Sequence, residues 1–152
     1  MLIETLRQLF ARDLNRLHQE IELYENEQRI WHVEASIANS AGNLALHLMG
    51  NLKTYIGQQL GGVPYARDRD QEFALKGLPR PELLRQITET RTVVDQALSG
   101  LPASALPAEY PLLVFESKMT TEYFLVHLAT HLAYHLGQIN YHRRLVDGPG
   151  KA

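Results

Sequence analysis

The sequence has 152 residues, of which 45% are hydrophobic and 21% charged, and its 15 Lys and Arg against 17 Asp and Glu leave a formal net charge of -2. That composition excludes a disordered or fibrous chain, and the lack of a dense basic run argues against nucleic acid as a partner. Cysteine is absent, which removes disulfides, thiolate ligands and cysteine nucleophiles together and leaves His, Asp and Glu as available metal ligands.

The length suits one domain over residues 1–152. The N-terminal "MLIETLRQLFARDL" carries acidic residues early and does not read as a signal peptide, so a cytoplasmic protein is expected. No apolar run approaches the ~20 residues that cross a bilayer, so no membrane partner is expected. From Leu2 to about Tyr24, the residues Leu2, Leu6, Leu9, Phe10, Leu14, Leu17, Ile21 and Leu23 recur at threes and fours and predict a first helix.

A second helix is predicted in "NSAGNLALHLMGNLKTYIGQQLGG", capped by Asn39 or Ser40, ended by Gly61 and Gly62, and tolerating Gly50 in its interior. A third follows in "RPELLRQITETRTVVDQALSG", with Pro81 in its first turn and Gly100 at its end. The fourth runs from about Thr120 to Val146, capped by Thr120 or Thr121, with Glu122 in the first turn, Arg143 and Arg144 in the last, and "DGPG" beyond.

Between the second and third helices, "VPYARDRDQEFALKGLP" reads as a polar loop. Between the third and fourth, "LPASALPAEYPLLVFESKM" is broken by three prolines, with "LLVF" a candidate strand. Four long helices, each with an apolar face, predict an all-α four-helix bundle with long connecting loops. Their connection order is not readable from periodicity.

Four of the seven histidines fall in "HLATHLAYHLGQINYH". His127, His131 and His135 stand four apart on one helical face, where two adjacent rungs can converge on one ion but a straight helix cannot easily bring in all three. A third ligand then comes from a facing helix, and His47 in "NLALHLMGN" is the best placed. From spacing alone, a hydrogen-bonded core role is an equal reading of the His131 and His135 pair and the more usual one for a lone histidine on an apolar face. His127 suits a supporting or core role, and His18, His32 and His142 lie outside the cluster.

The "HxxxHxGQ" of His131, His135, Gly137 and Gln138, together with "NxxxHLxGN" around His47, resembles the DinB-like superfamily of four-helix bundles, also called YfiT-like metal-dependent hydrolases. The resemblance spans nearly the whole chain and takes in "RDRDQEF". It implies that His47, His131 and His135 coordinate a divalent metal, nickel or zinc, with positions left for water or substrate. It also implies a homodimer packed through helices, and Ala129 and Ala133 are candidates for close helix approach.

The activity implied is that of a metal-dependent hydrolase or a transferase using a low-molecular-weight thiol, acting on a small molecule. The alternative is a noncatalytic, metal-stabilised dimeric binding or stress-related protein. Gln138, Asn51 and Tyr134 are placed to orient the histidine rings from behind, Gln138 foremost. In the "RDRDQE" stretch, Asp68, Asp70 and Glu72 offer acid or base groups and Arg67 and Arg69 offer anion contacts, against the plainer reading of a solvated loop.

Overall fold

A computed structural model describes residues 1–148. Five α-helices carry the fold: α1 (Leu2–Glu22), α2 (Ala41–Leu52), α3 (Arg69–Ala74), α4 (Arg80–Ser99) and α5 (Thr121–Val146). Pro149 and Gly150 of the expected helix-breaking "DGPG" lie outside the described residues. None of the described helices is long and apolar enough to cross a membrane.

The long helices form the expected four-helix bundle. α1 packs against α4 and α5, and α2 packs against the same two, so α1 and α2 face each other diagonally. Contacts along the helices set their directions. Arg7 pairs with Asp95 and Arg91 with Asn15, so α1 and α4 run antiparallel.

Lys53 pairs with Glu89, Gly57 faces Val93 and Gly61 faces Ala97, so α2 and α4 run parallel. Tyr55 packs on Phe124 while His47 meets His131, so α2 and α5 run antiparallel. Parallel neighbours cannot be joined by a tight turn. The chain therefore returns along the bundle between α2 and α4, and α3 lies on that return segment, packed against α2.

This corrects the expected loop at residues 63–79, which contains α3. Asp68 caps it by accepting from the Gln71 N–H at 3.1 Å. The cover that α3 provides explains why all twelve residues of α2 are buried. A helix apolar on every side needs such a cover. Its polar members must then find partners, and the Asn43 amide donates to the carbonyls of Glu72 and Leu75 at 2.9 and 2.8 Å, fastening α3 to α2.

Ser40 caps α2 by accepting from the Asn43 N–H, and Gly62 ends the helical run with φ +66. That left-handed geometry is open to glycine without a Cβ clash. Between them α2 passes into a π-helical segment, Lys53–Gln58, and one more α turn, Gln59–Gly61. The Tyr55 carbonyl within this segment accepts from the Tyr110 hydroxyl at 2.6 Å.

α5 begins with its first N–H groups satisfied: Thr121 donates to Ala108 O, Glu122 to Leu106 O, Tyr123 to Thr120 Oγ1 and Phe124 to Thr120 O. These are the donors that a helix start otherwise leaves open. The candidate strand "LLVF" is not a strand. The described residues hold only a single bridge, between Glu109 and Thr120, and Leu112, Leu113 and Phe115 are exposed, with no neighbouring edge to pair with.

Candidate metal centre

α2 and α5 bring His47, His131 and His135 together, each offering a ring nitrogen, with all three nitrogens within 4.8 Å of one another. The Nε2 atoms of His47 and His131 face each other at 3.3 Å. The His135 ring stands edge-on to both, its centroid 5.4 Å from that of His47 and 4.6 Å from that of His131. His47 comes from a buried position of α2, and His131 and His135 from successive turns of α5.

The rings are oriented from behind. Glu72 Oε1 lies 3.2 Å from His47 Nδ1, and a carboxylate can only accept, so the proton sits on Nδ1 and the Nε2 lone pair faces the cluster. Arg67 grips the same carboxylate with two bonds, Nε to Oε2 at 2.8 Å and a terminal nitrogen to Oε1 at 2.9 Å. Gln138 Oε1 lies 2.6 Å from His135 Nδ1 and turns that ring's Nε2 free in the same way.

Glu72 is 6% exposed. Burial works to raise its carboxyl, but the hydrogen bonds from His47 and Arg67 together outweigh it and hold the group below the usual carboxylate range. Burial, and then the neighbouring His135 and His47, push His131 down to about 4. His135 is also lowered, chiefly by burial, against the opposing hydrogen bond to Gln138. Both rings are neutral at neutral pH.

These residues fit a divalent ion. Imidazole nitrogens held about 2.0–2.1 Å from an ion lie about 2.8–3.0 Å apart in octahedral and about 3.3–3.4 Å apart in tetrahedral coordination, and the His47 to His131 separation of 3.3 Å falls in that span. With the His47 proton on Nδ1, His131 Nε2–H can donate to His47 Nε2 in the metal-free protein, and a bound cation would instead take a lone pair from each ring. Buried His131 Nδ1, and Asn51 Oδ1 one turn along α2 from His47, have no hydrogen-bond partner among the described residues.

Of the other residues singled out in sequence, His127 stacks beside His131 with centroids 6.1 Å apart and packs between Phe115 and Phe124. No hydrogen bond joins it to the three clustered rings. Tyr134 is 66% exposed with its ring edge on His135 at 5.3 Å, and Asn51 makes no hydrogen bond to them either. Ala129 is packed against the core, while Ala133 is exposed.

The "RDRDQE" residues separate into distinct roles. Asp68 caps α3, Arg69 stacks over Phe73 at 5.5 Å, Phe73 packs on the His47 ring at 5.1 Å, and Asp70 is exposed. Arg67 is committed to Glu72 rather than open to an anion. The Glu72 to His47 contact was not foreseen. The available signal was Asp68 three residues before Gln71, a helix-start pattern inside the supposed loop.

Gly50 has a role beyond tolerance. A Cβ there would lie inside the contact radius of Glu72 Oε2, so only glycine lets the carboxylate reach the back of His47. His142 lies outside the cluster, near the end of α5. It is buried, donates from Nε2 to the His32 carbonyl at 2.8 Å, and accepts at Nδ1 from the Tyr24 hydroxyl at 2.6 Å.

A helical bundle holding three imidazoles on two of its helices, with each outer helix contact backed by an acceptor at His47 and His135, defines a class of candidate metal-binding bundles. Within that class the family is shown directly. A family model described as the DinB superfamily matches residues 9–139, and the chain belongs to that superfamily. Comparison with curated proteins and with solved structures returned no match.

Proposed function

We propose that the chain is a metal-dependent enzyme of the hydrolase or low-molecular-weight-thiol transferase kind, holding nickel or zinc through His47, His131 and His135 and acting on a small molecule. The observation that carries this reading is the convergence of three ring nitrogens from two helices within 4.8 Å. A three-imidazole set leaves the ion its full positive charge and so supplies Lewis acidity toward a water or a thiol.

The chain's own residues prepare that set. Glu72 and Gln138 fix which nitrogen of His47 and of His135 keeps its proton, so each ring presents a lone pair inward. Arg67 keeps Glu72 ionised and still. Phe73 covers one side of His47 and limits water there.

A homodimer belongs to the same reading. Tyr123, Val126, Thr130 and Ala133 recur at three and four residues on α5 and are all exposed, which supports a helix-to-helix contact between two copies. The chemistry is tested by screening ester and amide hydrolysis and thiol addition with nickel- and zinc-loaded protein, with His47→Ala and His131→Ala as controls. Turnover that both substitutions abolish supports an enzyme. Metal uptake with no turnover on any substrate class would overturn it.

A further inference from the structure

A cavity of about 520 Å³ opens beside the histidine cluster, with His135 and Gln138 in its wall. That is the size of a small-molecule site. The remaining wall is Leu44 of α2, Tyr134, Tyr141 and Leu145 of α5, His142, and residues 37–39 of the segment that precedes α2.

Among the described residues, no Asp, Glu, Lys or Arg lines it. His142 adds no charge, because its Nε2 donates to a carbonyl, its Nδ1 accepts from Tyr24, and burial lowers its affinity for a proton. The titratable groups near that ring are His32 and Glu34, which contact each other at 3.2 Å. Arg144 stacks on the Tyr141 ring at 5.5 Å but does not line the cavity. The polar groups that do face it are neutral: the Asn39 and Gln138 amides and the two tyrosines.

We infer that this cavity seats the body of the substrate, and that the substrate is an uncharged molecule bearing an aromatic or branched aliphatic group, delivered beside His135. The assignment of the occupant as substrate rests on the proposed metal centre. Apart from the metal itself, an anion entering the cavity would leave water without meeting a charged side chain, whereas an apolar ring gains contact with Leu44, Leu145 and the tyrosines. A peptide thiol with two carboxylates is disfavoured on the same ground.

The test titrates 4-methylbenzyl alcohol, 4-methylbenzoate and glutathione into the full chain at neutral pH, metal-free and zinc-loaded, followed by backbone amide NMR. The alcohol is expected to bind at least about tenfold more tightly than either anion in the metal-free protein, a difference readily produced by uncompensated desolvation of charge. Its shifts are expected at Ala38, Leu44 and Leu145. Leu145 is half-exposed, so Leu145→Glu keeps the fold, as the same spectra report, and is expected to weaken the alcohol about tenfold while zinc affinity stays unchanged.

Equal or tighter binding of 4-methylbenzoate, or alcohol shifts confined to another face, would overturn the inference. Zinc titration of the same samples reads the metal centre separately. Failure to take up zinc would sink the proposed function without altering the ligand preference of the cavity.

Discussion

Glu72 Oε1 stands 3.2 Å from His47 Nδ1, on the side of the ring away from His131. The contact joins a six-residue helix on the return segment to the candidate metal centre, and it makes His47 an inward acceptor. Glu72→Gln removes the charge that Arg67 and His47 share, and loss of such a supporting group typically weakens metal binding about 10–100-fold. Competition titration with a zinc chelator checks this, and an unchanged affinity would show that Glu72 serves packing alone.

Gly50 and Gly137 are both helix-interior glycines, yet their substitution should act in opposite directions. A Cβ at 50 collides with Glu72, while at 137 nothing lies within 4 Å. Gly50→Ala should destabilise by about 1–3 kcal/mol through overpacking and weaken zinc as Glu72→Gln does. Gly137→Ala should stabilise by about 0.5–1 kcal/mol through helix propensity. Urea unfolding midpoints of the metal-free variants separate the two.

The contrast also shows what a sequence can carry. Helix limits follow from local chemistry, so Ser40, Thr120 and the αL glycine at 62 stand where capping rules put them. The His131 and His135 pair is legible for the same reason, since i and i+4 share a face. His47 was legible as the best-placed histidine of another helix, and the family resemblance strengthened that reading, because nothing local says which helices face each other.

Glu72 was legible only as one of several loop acids. Its burial depends on α2 and α4 running parallel, which sends the connecting segment back over α2. Alternating charges on that segment look like a solvated loop until the return path is known. The burial of His142 was not legible for a related reason: its partners, Tyr24 and the His32 carbonyl, are more than a hundred residues away.

Acid should destabilise the metal-free protein in a defined window. His131 is pushed from 6.5 down to about 4 in the folded state, and His135 and His142 are lowered as well. Between those limits the unfolded chain binds more protons than the folded one, so stability is full above pH 6.5 and falls as pH drops toward 4. Urea unfolding across that range should show this slope, and His131→Asn should flatten it. A stability that is level from 6.5 to 4 would refute the assignment.

Metal should tie α2 to α5. With free zinc at about 100 times its dissociation constant, the folded state gains about 2.7 kcal/mol. Thermal melts should therefore rise with added zinc in the wild type and not in His131→Ala. A chelator should reverse the gain.

If two copies meet along the α5 face, Ala133→Arg should shift the mass measured by sedimentation from dimer to monomer while the circular dichroism spectrum stays helical. Ala133 is exposed, so the substitution does not disturb the core of one copy. A wild-type chain that sediments as a monomer at all concentrations would contradict the dimer.

The central claim is that His47, His131 and His135 share one ion. Elemental analysis of tag-free protein, together with its His47→Ala and His131→Ala variants, tests it most directly. The expected result is one equivalent of nickel or zinc per wild-type chain and almost none in either variant. A wild-type chain that stays metal-free under saturating nickel and zinc, or variants that retain a full equivalent, would contradict it.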